Sequence, residues 1–262
     1  MSYLDFSTEE LIYQYNPRIH VPEHEVWKAH WKLASARVRS ERDGLLRVAY
    51  GPTAGQNLDI YPAHKPNSPI NIFVHGGFWR FLDSFDHTLV VPAVVDAGGA
   101  SILLNYDLCP SVSLHEVIGQ IRTALQWVWN NAEQANGNRE EIYISGHSAG
   151  GHLAMMLCRD DLEPILLVPG AEELLVTADT VRAVSPRYSP PAPHVPLVVA
   201  VGARETSEWI RQTDEMVAVL NEQGNRVTYL KPDYDQHFSI LLSLGNPQTE
   251  LCSAMLKQMK LL

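Results

Sequence analysis

Ile142-Tyr143-Ile144-Ser145-Gly146-His147-Ser148-Ala149-Gly150-Gly151 sets a β-branched run directly against a Gly-X-Ser-X-Gly pattern, and the apolar, helix-compatible stretch Leu153 to Cys158 follows at once. Strand, sharp turn and helix in that order are the context of a nucleophile elbow. The turn is so tight that side chains at its two flanking positions would strike neighbouring backbone, and Gly146 and Gly150 remove those Cβ atoms. Ser148 is then pushed out at the carboxyl edge of a sheet. The five-residue pattern alone also occurs in ordinary glycine-rich strand-to-helix turns; the strand before it and the helix after it single out the elbow.

Outward from this segment, short β-branched runs alternate with helical-period segments from about Ala49 onward. Such alternation predicts a mostly parallel sheet covered by helices on both faces. The strand candidates are Ile70 to Val74, Ser101 to Asn105, Glu141 to Ser145, Leu197 to Val201 and Arg226 to Leu230, with Asn57 to Tyr61 a weaker one. Leu114, Val117, Ile118, Ile121, Leu125 and Val128 recur at three and four, as do Trp209, Thr213, Met216, Val217 and Leu220, so both sets read as crossover helices. The second closes at Gly224, where a left-handed residue can end a helix. Residues 1–49 read as a mainly helical N-terminal extension. Periodicity is weak from Arg159 to Pro186, and no separate cap domain is expected there. The whole chain, 1–262, is read as one α/β domain of the α/β-hydrolase type.

A serine hydroxyl needs a base, and in this fold the chain order is Ser, acid, His. Of the eleven histidines, His152 sits in the elbow helix and His194 in a proline-rich connector. His237 follows the last strand candidate and is the expected base. The acid belongs just after the preceding strand, which selects Glu205 over Glu208 and Asp214 deeper in the next helix; an exposed acid at a helix start is the bland alternative. His75-Gly76-Gly77-Phe78-Trp79, directly after the Ile70 to Val74 strand, has the form of an oxyanion loop. The amides of Gly77 or Phe78, with that of Ala149, are the expected donors. His75, Gly76, Trp79, Tyr106 and Phe238 complete the expected surroundings of the substrate, and the aromatic side chains suit a flat apolar acyl compound.

Composition narrows the partners. A net charge of −10 opposes binding to nucleic acid or anionic lipid and favours a small molecule. The basic stretch from Lys28 to Arg47 interleaves with acids and reads as a solvated helix face. No run has the roughly 18 apolar residues of a membrane span, and MSYLDFSTEE lacks the order of a signal peptide, so a cytoplasmic protein is expected. Cys109, Cys158 and Cys252 fit reduced thiols, and the scattered histidines lack HExxH or equivalent spacing. Neither a metal nor a cofactor is expected. A hydrophobic stripe in the N-terminal extension could act as a lid or meet a second copy of the chain in a homo-oligomer.

Longer stretches resemble the serine-type kynurenine formamidases, or arylformamidases, of the α/β-hydrolase esterase and lipase superfamily. They include Tyr15-Asn16-Pro17-Arg18, Leu58-Asp59-Ile60-Tyr61, His75-Gly76-Gly77-Phe78-Trp79, Asn105-Tyr106-Asp107-Leu108-Cys109-Pro110, Gly146 to Ala154, Asp161-Leu162-Glu163-Pro164-Ile165, and Ser185-Pro186. The His-Gly-Gly and Gly-X-Ser-X-Gly elements mark only the superfamily; Tyr-Asp-Leu-Cys-Pro and Leu-Glu-Pro point more narrowly. The resemblance implies hydrolysis of N-formylkynurenine to kynurenine and formate, and it places the acid on Glu205, where many relatives carry aspartate. A general short-chain carboxylesterase or thioesterase is the nearest alternative, and a non-catalytic binding homologue a remoter one.

Overall fold

The computed structural model describes residues 6–159 and 182–262. The Asp161 to Ile165 segment, and most of the stretch in which no cap is expected, lie outside the described residues.

The β-branched runs form strands because their side chains fill both faces of a sheet. Strands β1 (Leu45–Ala49), β2 (Asn57–Tyr61), β3 (Ser68–Val74), β4 (Ala100–Leu104) and β5 (Gly137–Gly146) make a five-stranded sheet in the order β1-β2-β4-β3-β5. The centre is parallel: Ile72 lies opposite Ile102 of β4 and Ile144 of β5. The outer strands β1 and β2 run antiparallel. Strands β6 (Leu197–Ala200) and β7 (Val227–Leu230) form a separate parallel pair. All six strand candidates are present. β5 and β6 do not hydrogen-bond to one another, and between them runs an apolar cleft of about 540 Å³, lined by Ile142, Ile144, Val198, Met216 and Met255 and reaching Ser148 and His237.

Alternation along β3 divides the core. Ile70, Ile72 and Val74 meet α5 (Leu114–Asn130) and α6 (Ala149–Leu157) on one face, whereas Phe73 meets α3 (His24–Glu41) and α4 (Val91–Asp96) on the other. α5 starts at a capping box, Ser113 with Glu116, and buries the expected stripe of Val117, Ile118, Ile121 and Val128. After β6 come α7 (Ser207–Glu222), β7, α8 (Ser239–Leu244) and α9 (Glu250–Gln258). Gly224, with φ +90°, stands just beyond α7 as its left-handed terminus.

The N-terminal extension contains α1 (Thr8–Tyr15), α2 (Pro17–His20) and α3, but its helical part ends at Glu41. The expectation of helix to residue 49 misses β1. Arg47 takes φ +56°, interrupting the β1–β2 register, and its amide donates instead to Asp59 Oδ1 at 2.8 Å. That bulge removes the alternation by which a strand is recognised. The basic stretch is solvated only in part. Arg42 pairs with Asp96 at 2.8 Å, Arg39 donates to the Phe85 carbonyl, and Arg47 pairs with Asp83 at 2.7 Å while lying over the Phe85 ring.

Candidate active site

The elbow holds Ser148 in a strained backbone conformation, φ +57° and ψ −124°, between the end of β5 and the start of α6. A Cβ at Gly150 would stand 2.0 Å from the Val74 carbonyl oxygen, and one at Gly146 would stand 2.2 Å from that of Gly150. The collision argument therefore applies at both positions, and it is β3 as well as the elbow itself that crowds Gly150.

Ser148 Oγ lies 3.0 Å from His237 Nε2, and His237 Nδ1 lies 3.1 Å from Glu205 Oε1. With Nδ1 protonated and donating to the carboxylate, Nε2 is left as the acceptor for the serine proton. His237 and Glu205 are nearly buried, which strengthens each electrostatic contact. Glu205 leaves β6 through a turn in which its amide donates to Gly202 O at 3.1 Å, and His237 lies in the loop between β7 and α8. The five-stranded sheet thus carries the serine, and the two-stranded sheet carries the acid and the histidine. His147 Nε2 donates across the gap to the His237 carbonyl at 2.7 Å, and Trp31 Nε1 donates to the Phe238 carbonyl at 3.2 Å.

The His75 to Trp79 loop reaches the same place. Gly77, Phe78 and Trp79 have φ of +112°, +55° and +56°, three successive left-handed residues of which only the first is glycine. None of the amides of Gly77, Phe78 and Ala149 donates to a backbone carbonyl among the described residues. Gly76 packs so closely on the elbow that a Cβ would come within 2.7 Å of the His147 carbonyl oxygen.

The Phe78 side chain is exposed (52%), whereas of the side chains expected around the substrate His75 (1%), Tyr106 (3%) and Phe238 (6%) are buried. His75 and Tyr106 stack face to face at 4.4 Å beneath the loop, and Tyr106 Oη donates to the His75 carbonyl at 2.8 Å. They support the His75 to Trp79 loop from below rather than line its open side. Phe238 packs on Trp31 and turns an edge to His237, and Trp79 packs edge-on against His152. The aromatic residues beside the strands are drawn inward by the area they bury. Tyr106→Phe is expected to leave the His75 carbonyl without its donor, costing about 1–2 kcal/mol; the urea midpoint should fall by the corresponding amount.

Sequence reasoning missed two neighbours of His237. Trp209 lies one helical turn beyond Glu205, with its ring centroid 5.0 Å from that of His237, and it also lines the cleft. His147 reads only as the variable residue of Gly-X-Ser-X-Gly. Behind the site, His75 stacks on His87, and Trp31 contacts both His87 and His147. Burial pushes the imidazoles down, His75 to about 4 and His87 to about 3. Burial, followed by the nearby His237 and His87, puts His147 well below the ordinary range. The three cysteines are free thiols, and no group of three or more His, Cys, Asp or Glu among the described residues could hold a metal ion. No helix of the described residues is long and apolar enough to cross a membrane.

The BD-FAE family model matches residues 58–165. A kynurenine formamidase of Danio rerio is 27% identical across 96% of this chain and 96% of its own length, and one of Salmo salar is 26% identical across 97% of each. Among solved structures, a candidate thioesterase from Silicibacter sp. tm1040 superposes with a TM-score of 0.78 at 22% identity, over 92% of this chain and 96% of that one. The carboxylesterase EstE1, cloned from a metagenomic library, gives 0.66 at 17% identity over 99% and 97%. The chain has the α/β-hydrolase fold and is similar to kynurenine formamidases across nearly its whole length.

Proposed function

We propose that this chain is a serine hydrolase that removes a formyl group from an aromatic amide, with N-formylkynurenine as substrate and kynurenine and formate as products. The observation that carries the reading is the hydrogen-bonded run from Ser148 through His237 to Glu205. His237 takes the Ser148 proton as Oγ attacks the formyl carbon, and the oxyanion is received by the amides of Gly77, Phe78 and Ala149. As the tetrahedral intermediate collapses, the C–N bond breaks and His237 returns the proton to the departing aniline nitrogen. Water, deprotonated by the same histidine, then attacks the formyl ester, releasing formate and restoring the Ser148 hydroxyl. The likeness to named kynurenine formamidases supports the substrate, and exposed Phe78 offers an aromatic surface at the loop. In this reading the protein works on a small molecule in the cytoplasm.

The likeness of part of the chain to named esterases supports a second reading, a general short-chain carboxylesterase or thioesterase. The test compares N-formyl-L-kynurenine with p-nitrophenyl acetate and p-nitrophenyl butyrate, with chelator throughout. Efficient formamide turnover that is lost in Ser148→Ala supports the formamidase. Turnover of the esters alone moves the assignment to the esterase.

A further inference from the structure

The loop that carries Glu205 is held by a segment almost two hundred residues earlier in the chain. Helix α7 begins immediately after it, and Thr206, in the N-cap position with φ −64° and ψ 157°, has the backbone of a capping residue but makes no side-chain cap. Its hydroxyl donates elsewhere, to the backbone carbonyl of Gln14 at 2.8 Å. The cap is supplied from outside. Gln14 Oε1, at the end of α1, accepts the Glu208 amide at 3.1 Å and the Ser207 hydroxyl at 3.2 Å. An orphan amide in the first turn of a helix requires such an acceptor.

The neighbouring residues extend the grip. Tyr15 Oη donates to Glu208 Oε2 at 2.9 Å and accepts from Gln212 Nε2 at 2.8 Å. The Glu208 side chain is buried and also receives both Nε and Nη2 of Arg211, at 2.9 and 2.8 Å. On the other side of the acid, His20 Nε2 donates to the Arg204 carbonyl at 2.8 Å, with its Nδ1 accepting from Tyr13 Oη at 2.9 Å. Glu205 is therefore bracketed: Arg204 before it and Thr206, Ser207 and Glu208 after it are each bonded to the α1–α2 segment. Glu205 itself makes no bond to that segment; its Oε1 is directed to His237. The same N-terminal region is anchored to the serine-bearing half of the molecule, because Val21 and Trp31 are buried with Phe73 and Leu103 of the five-stranded sheet. It spans the gap between the two sheets that carry the site.

We infer that Gln14, with Tyr15 in support, is a positioning residue for the acid: it caps α7 from the N-terminal segment and so fixes Glu205 against His237. The inference rests on the serine-hydrolase reading above, and p-nitrophenyl acetate is the substrate that tests it independently of the formamide. Gln14→Met keeps the length of the side chain and removes the acceptor. It is expected to lower kcat about 10-fold with KM changed by less than about 2-fold, because the oriented histidine matters in the transition state and not in substrate binding. The decisive measurement is a double-mutant cycle with Glu205→Ala. Once the carboxylate is gone, Gln14→Met should change kcat by less than about 2-fold, since a residue acting through another loses its effect when that other is absent. Tyr15→Phe, which deletes a single oxygen, is run through the same cycle with a smaller expected loss, and it carries the test if Gln14→Met does not fold.

Ester turnover that depends on Ser148 and Glu205 but is unaffected by both N-terminal variants overturns the inference alone. Equal losses with and without Glu205 also overturn it, because they mark a general structural contribution. Turnover that survives Ser148→Ala removes the serine reading, and this inference with it.

Discussion

Ser148→Ala and His237→Ala are each expected to lower kcat/KM by about 10⁴-fold or more, and the double variant should fall little further. The reason lies in the 3.0 Å contact between Oγ and Nε2. A hydroxyl without its base is almost unreactive at neutral pH, and an imidazole without the hydroxyl has no nucleophile to activate, so either deletion disables the pair. In the proposed mechanism, what survives is catalysis by the amides of Gly77, Phe78 and Ala149 and by substrate positioning, which neither substitution removes. Ser148→Ala deletes one oxygen and leaves Gly146 and Gly150 in place, so the elbow should persist and the loss should appear in kcat. The measurement is p-nitrophenyl acetate hydrolysis by the two single variants and the double. Losses that multiply would mean that the two side chains act independently, contrary to the proposed mechanism.

Acid should destabilise the fold well above the pH at which its carboxylates titrate. His75 and His87 have an ordinary value of 6.5, and burial depresses them to about 4 and about 3. Between those values and 6.5 the unfolded chain binds protons that the folded chain refuses. Stability from these two groups is therefore fully present above about pH 6.5 and is lost as pH falls toward 4 and then 3. At pH 4 the loss is on the order of 3 kcal/mol for each group, if the unfolded imidazoles titrate normally. His147, depressed by the same burial, acts in the same direction. Urea midpoints measured between pH 7.5 and pH 4 should fall steeply below 6.5, and a flat profile across that interval would show that the imidazoles are not buried neutral. These rings share a layer with Trp31 and Phe73, so partial opening of that layer near pH 5 should also reduce activity.

Much of this architecture was legible because local chemistry and tertiary packing agree. The β-branched runs at Ile70 to Val74 and Ile142 to Ser145 are strands at the centre of a sheet, and the stripe from Leu114 to Val128 is a buried helix face. The Ser, Glu, His order brought together three side chains that lie within hydrogen-bonding distance along one line. β1 was not legible, because a backbone bulge at Arg47 bonded to Asp59 replaces the regular alternation. The inward turn of His75, Tyr106 and Phe238 was not legible either. Position beside a strand end says that a side chain is near the site, but whether it faces the substrate or the core depends on what packs beneath it, here the His87 and Trp31 rings. The bonds of Gln14 to Thr206 and Glu208 carry no local signal, since each end looks like an ordinary helix terminus.

The division of the site between two hydrogen-bonded ladders has a mechanical consequence. No strand among the described residues pairs with both β5 and β6, so in the proposed mechanism the distance from Ser148 to His237 reads out how the two ladders are seated against each other. A phosphonate that bonds covalently to Ser148 and places an oxygen against His237 would act as a staple between those ladders. Its attachment should raise the unfolding temperature and slow amide exchange along β6 and β7, far from the bond that was made. Inhibition and rigidity would then be one event seen by two instruments.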